Sequence, residues 1–402
     1  MTHPHFADAD YLLDGFEHVE TEEEFRARLK LGRPLRVKLG IDPTSPDLHL
    51  GFMVVLHKLQ RFAEAGHDVT LIIGDFTAKI GDPSGRKVTR PQLSDEEIAA
   101  NMQTYREQAG KVLDLERVRI RYNSEWLGKL SVADLIKLLA KTTVAQMLER
   151  NDFHERYTSG QPISLHELLY PVAQAYDSVA IEADVELGAI DQLFNLLLGR
   201  HYQREFGQAP QICAMTPLLV GLDGVKKMSK SLGNYVGVAE APETQFGKLM
   251  SIADELMPTY ARYAAFWPRE RAEKLRAELA AGRLDPMREK KRLAEEIVAR
   301  YHGKDAARRA AEYFERTVQR REVPTDGLPE LQLDEVARVA EVMVRAGLAE
   351  SRRAAERLIS GNGVKVDGVA VTDPKAMWTA TEPAVLSVGS RRFVRVIPHK
   401  TT

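Results

Sequence analysis

Three short stretches carry residues whose types and spacing could do chemistry. The first is His49-Leu50-Gly51-Phe52, which follows Asp42-Pro43-Thr44 and opens an apolar-periodic segment. Free N–H groups and the dipole at a helix N-terminus attract phosphate. His49 and Thr44 could donate to phosphate oxygens, and Gly51 would let a base or ribose lie against the backbone. Alone, a histidine before an apolar helix is more often a cap or a surface residue. The second stretch is VKKMSKSLGN, Val225–Asn234, with Lys226, Lys227 and Lys230 set among Ser229, Ser231 and Gly233. Ammonium groups on such a loop can neutralise charge that builds on phosphates during transfer; alone it is an ordinary solvated basic loop. The third is YPVAQAYD, Tyr170–Asp177. Tyr170, Gln174 and Asp177 fall at i, i+4 and i+7, one face of a helix. Their neighbours Leu168, Leu169, Val172, Ala173, Ala175 and Val179 are apolar, which predicts a buried segment whose polar groups need partners.

The elements that must position these residues alternate in the first half of the chain. Leu35–Ile41, Val69–Asp75, Val118–Tyr122 and Val185–Ile190 read as strands. Leu50–Ala65, apolar at 52, 55, 56, 59, 62 and 63 and stopped by Gly66, reads as a helix. Strand, helix and strand make a βαβ unit and hence a parallel sheet. Thr142–Arg150 and Ser164–Tyr176 also read as helical. From about 242 to 322 the chain is rich in Ala, Arg, Glu and Lys, which predicts a helical bundle; 321–332 reads as a linker. Beyond it, helical patterns at Leu333–Ala346 and Ser351–Ile359 lead into β-rich runs around Asp367-Gly368, a hairpin signal.

Composition bounds what these elements can serve. With 402 residues the chain has room for two or three domains. The formal net charge of −2 means that any nucleic-acid surface must be local. Cys213 is the one cysteine, which excludes an intrachain disulfide and a cysteine-built zinc site and fits a reducing cytoplasm. The N-terminus reads as no signal peptide, and no apolar run approaches the roughly 20 residues of a membrane span.

Together the motifs resemble class I aminoacyl-tRNA synthetases: HLGF at 49–52 resembles the HIGH signature and KMSKS at 227–231 matches the second signature. YPVAQAYD, IGDPSG at 80–85 and GAIDQLFN at 188–195 look like the tyrosyl-tRNA synthetases. ESRRAAERLISGNGVKVDGVAVTDP resembles the small RNA-binding module that bacterial members of that family share with a ribosomal protein. The resemblance spans essentially the full length. It implies a Rossmann-like parallel-sheet catalytic domain at 1–238 with a dimerisation insertion at about 124–165. An all-α anticodon-binding domain at 239–325 and a small α+β RNA-binding domain at 333–402 would follow.

The resemblance implies two in-line steps, tyrosine carboxylate attacking the α-phosphate of ATP and then a terminal ribose hydroxyl of tRNA(Tyr) attacking the tyrosyl-adenylate carbonyl. Thr44, His49, Lys227 and Lys230 would act on the phosphates, with Asp42, Gly51, Phe52, Ala189, Asp191, Met228, Ser229 and Ser231 in the ATP site. Tyr170, Gln174 and Asp82 would hold the α-ammonium, Asp177 would accept from the phenol, and Gly40 and Gln192 would lie beside the amino acid. Mg²⁺ would come with ATP, no tightly bound cofactor is implied, and neither step needs Cys213. Arg352, Arg353, Arg357 and Lys365 would meet tRNA phosphates, and the basic helices of 288–320 would approach the anticodon. The family is homodimeric, which points to Trp126, Leu130, Leu135, Leu138 and Met147 in the insertion, although core packing explains those residues equally.

Three departures matter. Phe52 stands where the signature has a second histidine. Lys38 stands where the family commonly has a tyrosine that meets the phenol; the lysine could donate to the phenol, pair with Asp177 or point away. Ala189 replaces the second glycine of the ribose element. A tryptophanyl-tRNA synthetase and a non-catalytic RNA-binding protein on a synthetase scaffold are the alternatives. The tail module and the Tyr170–Asp177 stripe oppose the first, and the intact polar residues oppose the second.

Overall fold

The computed structural model describes residues 3–84, 93–319, 328–333, 337–379, 381–389 and 392–398. It divides into two units, Met1–Glu240 with Ser251–Leu293, and Ala241–Met250 with Ala294–Thr402.

The first unit is built on a six-stranded sheet. Its strands are β1 (His18–Glu20), β2 (Arg36–Ile41), β3 (Asp68–Ile73), β4 (Val118–Tyr122), β5 (Val185–Ala189) and β6 (Ile212–Thr216), in the order β1-β6-β5-β2-β3-β4. All neighbours are parallel except β1, which runs antiparallel to β6. The chain leaves β2 towards β3 on one side and returns as β5 on the other. That reversal opens a crevice at the carboxyl ends of β2 and β5, where open α/β sheets bind ligands. Buried Val37, Leu39, Val69, Leu71, Val185 and Leu187 continue the apolar runs expected of strands covered on both faces. β1 and β6 had no sequence signal strong enough to read. Ile212-Cys213-Ala214-Met215-Thr216 has few β-branched residues, and its conformation is imposed by pairing with β5.

The helix Leu50–Glu64 carries a solid apolar face that includes Met53, Val54, Leu56, Leu59 and Phe62. Thr142–Arg150 contracts to the short helix Val144–Met147, capped by Thr143. Ser164–Tyr176 resolves into a 3₁₀ turn, Leu165–Leu168, followed by the helix Leu169–Ala180.

In the second unit the helices Pro242–Leu249 and Lys304–Phe314 meet with Phe246 and Phe314 ring centroids 5.5 Å apart. Its sheet has the order β7-β11-β10-β8-β9. The strands are β7 (Glu330–Leu333), β8 (Val364–Val366), β9 (Val369–Ala370), β10 (Ala384–Val388) and β11 (Arg392–Pro398). Helices Val339–Arg345 and Arg352–Ser360 share its core, with Ala340, Val342, Met343, Ala355 and Ile359 buried. Asp367 (φ 46°) and Gly368 (φ 83°) both take the left-handed region that a two-residue hairpin turn requires. Part of the expected linker is ordered: Glu330–Leu333 pairs in parallel with β11, and 320–327 lie outside the described residues. The helix expected from Leu333 begins at Val339, with 334–336 outside the described residues. Among the described residues no helix is long and apolar enough to cross a membrane.

Candidate active site

His49 is the N-cap of the helix Leu50–Glu64, and its Nδ1 accepts the Gly51 N–H at 3.1 Å. Burial pushes its imidazole down to about 3, helped by the charges of Lys230 and Lys227. The ring is therefore neutral at physiological pH. With Nδ1 occupied as an acceptor, the proton sits on Nε2 as a single donor. Phe52 packs on this ring, centroids 4.6 Å apart and planes inclined by 43°. A Cβ at Gly51 would lie 2.9 Å from His49 Cε1 and 3.0 Å from Nδ1, so only glycine leaves the imidazole where it is.

The basic loop closes on the same crevice. Met228 N–H donates to Leu219 O at 2.7 Å, and Leu50 N–H donates to Val236 O at 3.0 Å, tying the loop to the helix start. Lys227 Nζ meets Asp191 Oδ2 at 2.6 Å. Lys230 Nζ donates to Ser45 Oγ, and burial brings its ammonium down to about 8, against the raising effect of Asp47. Ser229 and Ser231 hydroxyls pair at 2.9 Å. Ala189 has φ −97°, extended backbone open to any residue, so replacement of glycine there costs no strain.

The crevice is a cavity of about 250 Å³ that runs from this loop to the buried face of the helix Leu169–Ala180. Of the residues singled out in the sequence, Gly40, Asp42, Thr44, His49, Gly51 and Phe52 line it from β2 and the first helix. Asp82, Tyr170, Gln174 and Asp177 line it from the amino-acid side, and Ala189, Asp191, Gln192, Lys227, Met228 and Ser229 complete it. Lys38, Lys230 and Ser231 are not among its lining residues.

Lys38 is fully buried and pairs with Glu186 Oε1 at 2.9 Å. The two are direct partners in the β2–β5 ladder, so register makes the pair. The Lys38 ammonium is engaged by Glu186 rather than Asp177, and Lys38 is not among the residues lining the cavity. Its charge still reaches Asp177, whose carboxyl burial pushes up to about 7 while Lys38, Trp126 and Asn123 pull it down.

Several residues that sequence reading assigns no role in the pocket shape this site, among them Trp126, which it offers to the dimer face. Trp126 Nε1 donates to Asp177 Oδ1 at 2.8 Å, and Asn123 Nδ2 donates to Asp177 Oδ2 at 3.4 Å and to Thr77 Oγ1 at 3.0 Å. Thr77 Oγ1 donates to Asp42 Oδ1 at 2.7 Å, and the Tyr170 hydroxyl donates to Asp42 Oδ2 at 2.9 Å. Asp42 is thus a hinge between the two halves of the crevice. The one available signal was position: Asn123–Trp126 directly follows β4, at the carboxyl edge of the sheet.

Residues 30–319 match the model of the family described as tRNA synthetases class I (W and Y), and residues 337–377 match the S4 domain. The tyrosine–tRNA ligase of Moorella thermoacetica is 52% identical over 387 residues, 95% of this chain and 94% of that protein. The chain belongs to the bacterial tyrosyl-tRNA synthetases. The tyrosine–tRNA ligase of Aquifex aeolicus, another member, is 50% identical over 96% of this chain and 97% of its own length. Among solved structures, the tyrosyl-tRNA synthetase of Aeropyrum pernix superposes with a TM-score of 0.62 at 23% identity, covering 76% of this chain and 98% of that one. At that identity the likeness speaks for the fold alone. Membership of the tyrosyl-tRNA synthetases makes this chain an aminoacyl-tRNA synthetase of class I, with tyrosine–tRNA ligase activity.

Proposed function

We propose that the ligase reaction runs in this crevice with a specific division of labour. Tyrosine lies with its phenol at Asp177 and its α-ammonium between Asp82, Tyr170 and Gln174. ATP lies along Thr44, His49, Gly51 and Phe52, its ribose hydroxyls at Asp191. The carboxylate oxygen of tyrosine attacks the α-phosphorus and the bond to pyrophosphate breaks. The terminal ribose hydroxyl of tRNA(Tyr) then attacks the adenylate carbonyl and AMP leaves. His49 Nε2–H and the Lys227 and Lys230 ammonium groups meet the charge that moves onto the phosphates, which is electrostatic and positional catalysis. Lys227 exchanges partners: ribose hydroxyls take over Asp191, which frees the ammonium for pyrophosphate. The observation that carries this reading is that one crevice takes walls from both signature motifs and from the Tyr170–Asp177 stripe.

Among the described residues no group of three His, Cys, Asp or Glu could hold a metal ion by itself. Mg²⁺ would be delivered on ATP, with phosphate oxygens as its main ligands, where it would neutralise phosphate charge. The tRNA reaches the second unit through Arg352, Arg353, Arg357 and Lys365, all exposed around the helix Arg352–Ser360 and β8.

The chain works as a homodimer in the cytoplasm. Val132, Ile136 and Leu139 line one exposed stripe of the helix Val132–Leu139, and Val144 and Leu165 are 64% and 83% exposed nearby in sequence. These residues suit an apolar partner face. Leu138 and Met147, which the sequence offered for that face, are buried in the core against Val172 and Tyr202.

Charging of unfractionated bacterial tRNA with each of the twenty amino acids tests the reading. Tyrosine alone is expected to be attached; attachment of tryptophan in its place would reject the pocket assignment.

A further inference from the structure

The amino-acid end of the crevice rests on a buried polar layer centred on Arg150, which lies outside every quoted motif, and on Asn195, the last residue of GAIDQLFN. Arg150 is 5% exposed and sits between the short helices Val144–Met147 and Asn151–Thr158; Asn195 is 1% exposed on the helix Leu193–Glu205. Arg150 Nη1 donates to Asn195 Oδ1 at 3.0 Å. Its Nη2 donates to Ser84 Oγ at 2.6 Å and to Asp82 Oδ1 at 3.4 Å, and its Nε to Asp152 Oδ1 at 2.7 Å. Asn195 Nδ2 in turn donates to Gln174 Oε1 and to Gln192 Oε1, both at 2.9 Å. Gln174 Nε2 donates to Glu186 Oε1 at 3.1 Å, and Gln192 Nε2 to Asp82 Oδ2 at 3.0 Å.

The chemistry of the end groups gives this layer one polarity. A guanidinium only donates and an ionised carboxylate only accepts. Asn195 must therefore turn its carbonyl to Arg150 and its amide nitrogen to the two glutamines. Each glutamine must then turn its carbonyl to Asn195 and its nitrogen to a carboxylate, Glu186 or Asp82. Reversing any one amide sets donor against donor or acceptor against acceptor in a buried space, where an unmade hydrogen bond is costly. Each glutamine carbonyl keeps a second lone pair, the group an ammonium can use.

We propose that Arg150 and Asn195 are the positioning residues of the amino-acid subsite, fixing which way Gln174, Gln192 and Asp82 face the α-amino group of the substrate. This rests on the assignment of the crevice to tyrosine given above. Neither residue acts on the ATP end, so the proposal predicts a split between the two substrates rather than a general loss.

Asn195→Asp is the informative variant. It keeps the shape and the acceptor for Arg150 but removes the two donors to the glutamines. In tyrosine-dependent pyrophosphate exchange the tyrosine KM is expected to rise at least about tenfold, while the ATP KM stays within about twofold. Arg150→Ala should show the same split, and Arg150→Lys, which retains a charged donor, should recover part of it. An unchanged tyrosine KM in Asn195→Asp, or equal rises in both KM values, would overturn the proposal. Should Asn195→Asp fail to fold, the same split in Arg150→Lys decides the matter. Failure of the wild-type protein to exchange at all would instead remove the ligase reading on which the proposal stands.

Discussion

Asp177→Asn is expected to raise the tyrosine KM by about 100-fold while leaving the ATP KM nearly unchanged, as loss of a charged acceptor for a buried hydroxyl implies. Trp126 Nε1 already occupies one oxygen of Asp177, and the long Asn123 contact at 3.4 Å leaves the other open to a stronger partner. An asparagine would keep an acceptor for Trp126 and turn its amide nitrogen to the second position, where it can no longer accept from the phenol hydroxyl and meets the Asn123 amide donor. The same variant carries a stability signature. Burial lifts Asp177 from 3.8 to about 7, so the folded protein holds a proton there that the unfolded chain releases between those values. The stability that this proton confers is complete below pH 3.8 and is lost as pH rises through about 7. The Tm of Asp177→Asn relative to wild type should therefore rise as pH goes from about 4 to about 8, since only wild type loses this proton. Thermal melts at several pH values, read beside tyrosine KM, check both halves. A stability difference between variant and wild type that does not change with pH would count against this reading of Asp177.

The second large effect concerns His49 and Phe52. His49→Ala removes the single Nε2–H donor and should lower the rate of adenylate formation by about 100-fold, the scale for one preorganised transition-state donor. Phe52→Ala removes only the ring that steadies His49 at 4.6 Å and should cost about tenfold at most. Phe52→His should change the rate by less than about threefold, because on the proposed division of labour His49, Thr44 and the loop lysines carry the phosphate contacts. Single-turnover adenylate formation checks all three. Equal losses in the two alanine variants, or a large gain in Phe52→His, would mean that the phenylalanine handicaps the site. Because His49 is held neutral down to about pH 3, a fall in tyrosine activation below about pH 7 is expected to come from Asp177.

Much of this site was legible from local pattern. β2, the helix Leu50–Glu64 and β4 announce themselves through apolar periodicity, and Asp367-Gly368 fixes its hairpin through turn chemistry. His49 caps the start of the helix Leu50–Glu64 and Asp191 follows the end of β5, so placing those elements also placed these two; Asp177 lies inside its helix and Asp82 in the loop after the short helix Thr77–Ile80. What the sequence concealed depends on pairing across the fold. Lys38 is paired with Glu186 because β2 and β5 align the two, a register that no local window contains. Asn123, Trp126, Arg150 and Asn195 look like unremarkable polar or aromatic residues in short helical turns. Their roles appear only when the sheet brings four distant segments around Asp177 and Asp82. β6 was missed for a similar reason, since β5 and β1 hold its backbone and its own composition does not.

The central claim is that this crevice makes tyrosyl-adenylate with phenylalanine at position 52. Tyrosine-dependent exchange of labelled pyrophosphate into ATP by the wild-type protein tests it most directly. Exchange that saturates with tyrosine and is absent with tryptophan or phenylalanine is the predicted result. No exchange with tyrosine, in protein that is folded and still binds tRNA, would contradict it.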